Sequence, residues 1–150
     1  MADLKQQLYQ ACERYVDERI AELTASLRSI QQSANEETKS SSGDKYETGR
    51  AMAHLEIEKL QFQLAELNRA KADLQRIVIT LPATPIKPGS VVFTSRGNFF
   101  ISIHAGETTI NDTTFFLISP ASPVAQKMMG LNAQSEFTIN GRAFTILSVQ

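Results

Sequence analysis

Asp44 and Glu47 are the residues of this chain best suited to chemistry. They stand three apart in Gly43-Asp44-Lys45-Tyr46-Glu47, just after the polar run Ser33-Ala-Asn-Glu-Glu-Thr-Lys-Ser-Ser-Ser-Gly43, which has no apolar anchor. Two readings fit that spacing. On a helix, positions i and i+3 share a face, so the two carboxylates could help hold a divalent cation such as Mg²⁺, which takes one or two carboxylates with waters and other ligands. Alternatively, Asp at the N-cap with Glu at N3 resembles a capping box, and would satisfy orphan amide donors at a helix start. Two carboxylates on a solvated turn are too few for a tight protein-only metal site. The missing ligands would have to come from a partner. Tyr46, between the two acids, either offers a stacking face to a partner loop or a nucleotide base, or packs back on its own helix.

Other chemistry is sparse. Cys12 is the only cysteine, which excludes an internal disulfide and any multi-cysteine zinc site, and it reads as a small, partly buried helix residue in a reducing compartment. His54 and His104 have no neighbouring Cys, Ser or Asp pattern of a triad or a metal motif, and read as a helix and a strand position. Glu36 and Glu37 add negative charge before the turn, a pattern that usually serves solubility. The formal net charge is -1 and the pI about 6.1. No basic field exists to drive direct binding to nucleic-acid phosphates. The polar first ten residues lack a signal-peptide core, and no stretch approaches the ~20 apolar residues of a membrane span. A cytoplasmic protein without a membrane or small-molecule partner is expected.

The elements that must carry the acidic pair follow from a change of grammar along the chain. From Asp3 to Val78 there is no proline and the residues are mostly strong helix formers. Val16, Ile20, Leu23, Leu27 and Ile30 make one apolar stripe, and Ala53, Ile57, Leu60, Leu64, Leu67, Leu74 and Val78 a second, interrupted by Lys71. Two helices of about 30 residues, each roughly 45 Å long, are therefore expected to pack antiparallel about a turn near Ser40 to Gly43. An intermolecular coiled coil satisfies the same stripes less simply, because the break is central and the arms nearly match.

All five prolines lie in the second half, with most of the Phe and Thr. Strands are expected at Ser90 to Ser95, Phe99 to His104, Thr114 to Ile118, Phe137 to Ile139 and Ala143 to Val149, with Arg96-Gly97-Asn98 and Asn140-Gly141 as separators. A short helix capped by Ser122, with Pro123 in its first turn and Val124, Met128 and Met129 facing the core, should end at Gly130. The reading is α+β: a helical hairpin over 1–79 with its tip near 40–47, a proline-rich linker over 80–89, and a β-rich domain over 90–150.

Two segments in this order carry a family resemblance. Gly43-Asp44-Lys45-Tyr46-Glu47 is similar to the Gly-Asp-x-x-Glu tip motif of the bacterial Gre transcript-cleavage factors (the GreA/GreB family). Ile118-Ser119-Pro120-Ala121-Ser122-Pro123-Val124-Ala125-Gln126-Lys127-Met128-Met129-Gly130 is similar to that family's C-terminal signature of Ile-Ser, Ser-Pro, Ala and Gly. The resemblance implies an FKBP-like C-terminal domain and RNA polymerase as partner, with the hairpin in its secondary channel. It implies that Asp44 and Glu47 help hold the second Mg²⁺, present only in the polymerase complex, and a water for hydrolysis of backtracked RNA. Ser122 and Pro123 would sit near the rim helices, with nucleic acid met only through the elongation complex. No autonomous enzyme activity is implied.

The chain departs from the family in having Thr48-Gly49-Arg50 after the tip Glu, where Asn and an acidic-aromatic pair are common. This bears on the strength of cleavage. A channel regulator that inhibits without cleavage, or a plain coiled-coil scaffold, shares the outline. A prolyl isomerase is disfavoured, since there is no Trp and no evident aromatic wall for a proline pocket.

Overall fold

The structure is a computed structural model that describes residues 3–37 and 43–150, with the backbone alone for 37 and 43–48. Its elements run α1 (Leu4–Glu37), α2 (Gly43–Arg76), β1 (Val91–Thr94), β2 (Gly97–Ile101), β3 (Gly106–Ile110), β4 (Thr113–Ile118), α3 (Pro123–Met128), β5 (Glu136–Ile139) and β6 (Arg142–Val149). The chain is α+β, a long helical hairpin followed by a mixed six-stranded sheet.

Each hairpin helix has 34 residues, about 51 Å at 1.5 Å per residue. Asp3 starts α1 as its cap: the Asp3 carboxylate accepts from the Gln6 amide at 2.8 Å, and the Asp3 carbonyl from the Gln7 amide at 3.0 Å. The two apolar stripes are the less exposed positions of their helices. Ile20, Leu23, Leu27 and Ile30 on α1, and Ala53, Ile57, Leu64 and Leu67 on α2, are half-buried, while Val16 and Leu60 are buried. The Tyr9 hydroxyl donates to the Leu74 carbonyl at 3.2 Å, and farther along the pair Ala34 shares a hollow with Ala53 and Ile57. Those partners descend on α2 as they rise on α1, the order of an antiparallel pair. The second helix ends at Arg76, short of the expected Val78, which is 51% exposed on the connecting segment.

Two compact units divide the chain, one of residues 16–69 and one of 1–15 with 70–150. In the second unit the strand order is β3-β4-β2-β1-β6-β5, antiparallel throughout except for the parallel β2–β4 pair. Side chains alternate across the sheet. Val92, Phe99 and Ile101 face a core completed by Ala125 and Met128 of α3, by Ile86 and by Phe137 and Ile146. On the opposite face Val91, Phe100, Phe115 and Leu117 are at most 2% exposed. Leu8, Cys12 and Leu74 from the hairpin base are equally buried, and Cys12 Sγ lies 3.2 Å from Ser102 Oγ. Fully burying a side chain such as Phe100 contributes about 1.5–3 kcal/mol.

The sheet corrects three expectations. Gly97 and Asn98 belong to β2, paired with Thr94 and Phe93, so the turn between β1 and β2 is Ser95-Arg96. Strand β2 ends at Ile101, and His104 lies beyond it in an exposed position. Strand β3 falls where no strand is expected from the sequence, because Gly-Glu-Thr-Thr-Ile has one apolar residue and no alternation. Arg96 closes its turn from outside, donating from Nε to the Ala143 carbonyl at 2.7 Å above the stacked Phe137 and Phe144 rings.

Candidate functional site

The backbone of Asp44, Tyr46 and Glu47 lies in the first turn of α2, which begins at Gly43. Asp44 is the second residue of the helix. The side chains of Asp44, Tyr46, Glu47 and Glu37 are outside the described residues, as is the turn at 38–42. From the first turn to Arg76 the helix runs about 48 Å by its rise. The acidic pair and Arg76 are at opposite ends of one continuous element.

Just along the hairpin from that turn, a shallow hollow of about 390 Å³ is lined by Gln31, Ala34 and Asn35 of α1 and by Arg50, Ala53, His54 and Ile57 of α2. Its floor is apolar and its rim carries amide, guanidinium and imidazole groups. Glu36, Arg50 and His54 are exposed. The motifs did not point to this hollow. The signal for it is the small residues Ala34 and Ala53 at facing stripe positions, which leave space where larger side chains would meet.

Ser122 and Pro123 lie at the start of α3, in the sheet-bearing unit. Ser122 is the N-cap: its hydroxyl accepts from the Ala125 amide at 3.3 Å and donates to the Ser119 carbonyl at 2.9 Å, while Pro123 occupies the first helical turn. Pro123 is exposed and Ser122 half-buried. Capping therefore accounts for Ser122, and leaves the exposed Pro123 ring as the surface feature. Gly130, at φ +81°, follows the helix as expected, and Met128 is buried with Met129 packed on the same core.

The expected site residues thus form two sets, Asp44, Tyr46 and Glu47 on one turn of α2 and Ser122 with Pro123 on α3. Among the described residues no three His, Cys, Asp or Glu side chains come together as a metal site would require. No described helix is long and apolar enough to cross a membrane.

No family model matches the chain, and no curated protein matches it. Among solved structures it is similar to one titled "Structure of the transcription factor Gfh1", at 22% identity and a TM-score of 0.35, over 97% of this chain and 92% of that one. A TM-score that low carries no functional argument, and the fold rests on the elements described above.

Proposed function

We propose that this protein is a secondary-channel factor of bacterial RNA polymerase, of the Gre type, that stimulates hydrolysis of backtracked RNA. The observation that carries the reading is the position of the Gly-Asp-x-x-Glu motif: it opens the second arm of a helical hairpin, some 48 Å by helix rise from the other end of that arm. An element of that length can bring two carboxylates into a buried active centre that a globular surface cannot enter. Asp44 and Glu47 would supply ligands for the second Mg²⁺ and orient the attacking water, while the polymerase supplies the remaining carboxylates. A two-metal arrangement stabilises both the attacking and the leaving oxygens of an in-line phosphoryl displacement. The β-rich domain, FKBP-like by its sequence signature, would dock at the channel mouth through the segment around Ser122 and Pro123, against the rim helices. Tyr46 would stack on a loop or base of the complex.

The test is RNA 3′-end cleavage in a backtracked elongation complex with the cognate polymerase and Mg²⁺. Wild type should accelerate cleavage, and the Asp44→Asn, Glu47→Gln double variant should bind equally and lose the acceleration. Thr48-Gly49-Arg50 favours a second reading, a regulator that occupies the channel without cleavage, because Gly49 and Arg50 put a bare backbone position and a cation where the family commonly carries an acidic-aromatic pair. In that case wild type inhibits nucleotide addition and leaves cleavage unchanged. A protein that neither binds polymerase nor alters transcription would be a coiled-coil scaffold instead.

A further inference from the structure

The outer face of α2 carries an apolar strip that the hairpin seam does not use. Met52, Leu55 and Phe62 are 67%, 67% and 65% exposed. With Lys59 they step by 3, 4 and 3 residues, the a and d spacing of a coiled-coil seam. At 3.6 residues per turn the strip lies about 140° round the helix from the stripe of Ala53, Ile57, Leu60, Leu64 and Leu67, and it runs for about 15 Å. Exposed apolar residues scattered singly are ordinary. Three in line, on a helix whose other face holds the half-buried and buried stripe, form a second seam. Among the described residues α1 has no large apolar side chain exposed in this way, so the feature belongs to one arm.

Charge along the strip selects what fits on it. With Met52 and Lys59 at a and Leu55 and Phe62 at d, Glu56 takes the flanking e position and Glu58 the flanking g position, both exposed. A second copy of this chain is a poor occupant in either direction. Parallel pairing in register stacks Lys59 on its own equivalent inside the seam. Antiparallel pairing that sets Met52 against Phe62 brings Glu58 to Glu58 and Glu56 to Glu56, because g then meets g and e meets e. Like charges so placed reject the pairing. A helix with an apolar seam and Lys or Arg on both flanks meets neither conflict, since its cations pair with Glu56 and Glu58 while the Lys59 stem lies along the seam and its ammonium turns out to water. We propose that the strip from Met52 to Phe62 docks such a helix of a partner protein. The docking is independent of the tip carboxylates and of the polymerase reading.

The experiment uses the full chain, ¹⁵N-labelled, titrated with a three-heptad helical peptide that has leucine at its seam and lysine or arginine on both flanks. Two control peptides carry glutamate on the flanks, or serine at the seam. The expected result is amide shifts centred on residues 52–62 and a Kd below about 100 µM, weakened at least about tenfold for either control and for Phe62→Ser. Phe62→Leu, which keeps an apolar group, should stay within about twofold of wild type. Asp44→Asn with Glu47→Gln should bind the peptide unchanged, which separates this docking from the tip's function. Binding of either control as tight as the first peptide, unchanged binding by Phe62→Ser, shifts centred on α1 or the sheet, or no shifts at millimolar peptide would overturn the proposal. Concentration-dependent shifts at 52–62 without peptide would overturn it in favour of a second copy. Phe62 is exposed, so Phe62→Ser should keep the helicity and thermal midpoint of wild type, and a loss of binding with both intact is not a loss of fold.

Discussion

Cys12 shows how much a single side chain can report at the residue scale. It is wholly buried beside Ser102, and its thiol is pushed up from 9.0 to about 11, chiefly by burial, against the lowering effect of the Ser102 hydrogen bond. The unfolded thiol ionises near its ordinary value while the folded one still holds its proton. Stability from this group is therefore complete below the unfolded pKa and is lost as pH rises through the folded one, by roughly 2–3 kcal/mol at most. Urea unfolding at about pH 8 and about pH 11 checks this: wild type should lose more stability across that interval than Cys12→Ala, a comparison that cancels the lysines and the other tyrosines, with Tyr9, raised by burial, by Glu13 and also by the Cys12 charge, adding to the wild-type loss. Thiol reagents should label native Cys12 only as fast as the protein opens. The residue types at this site were plain from the sequence, but its depth was not. Nothing near Cys12 signals that Ser102, 90 positions away, will come to cover it.

At the scale of elements, glycines and caps separate backbone needs from surface ones. Gly89 has φ +97°, and an added Cβ would sit 3.0 Å from Ile77 Cγ2, whereas Gly106, at φ +73°, has open space there. Gly89→Ala should cost about 1–3 kcal/mol and Gly106→Ala only the backbone term of about 1 kcal/mol, read from thermal or denaturant midpoints. Gly49 lies within the helical run of α2, so Gly49→Ala should stabilise by up to about 1 kcal/mol. For Ser122, Ala should cost about 1 kcal/mol through loss of the cap, and Asp should retain it. A Ser122→Asp protein with native stability that no longer binds polymerase would assign the hydroxyl a docking role beyond capping. The helical stripes were legible because their period repeats over many turns. Strand β3 was not, since its side chains carry little apolar signal, although Asn111-Asp112 between two Thr-rich stretches is a turn signal of the same kind as Asn140-Gly141. The acidic pair was legible as a motif, yet whether it caps or binds metal is decided by side chains and a partner, not by spacing.

For the whole molecule, stability is unevenly shared. Of the deeply buried apolar residues among those described, Val16 and Leu60 belong to the 16–69 unit, and the others lie in the unit formed by 1–15 and 70–150. Native-state hydrogen exchange should accordingly show the outer turns of α1 and α2 opening well below the global unfolding free energy, with β1, β2 and β4 exchanging slowest. Uniform protection across both units would contradict this. The 1–79 and 90–150 division expected from composition remains a proposal for how the chain works, whereas its packing joins the two ends of the hairpin's base to the sheet.

Strand order gives synthesis a particular problem. Strand β6, last of the six to be made, pairs with β1 on one side and β5 on the other, and Gln150 exchanges backbone hydrogen bonds with Val91, both 2.8 Å. On the ribosome the sheet would have to wait, with its interior open between β1 and β5, until β6 emerges. Losing that one segment would therefore leave β5 without a partner and expose the β1 edge beside it, where the loss of an edge strand merely frays a border.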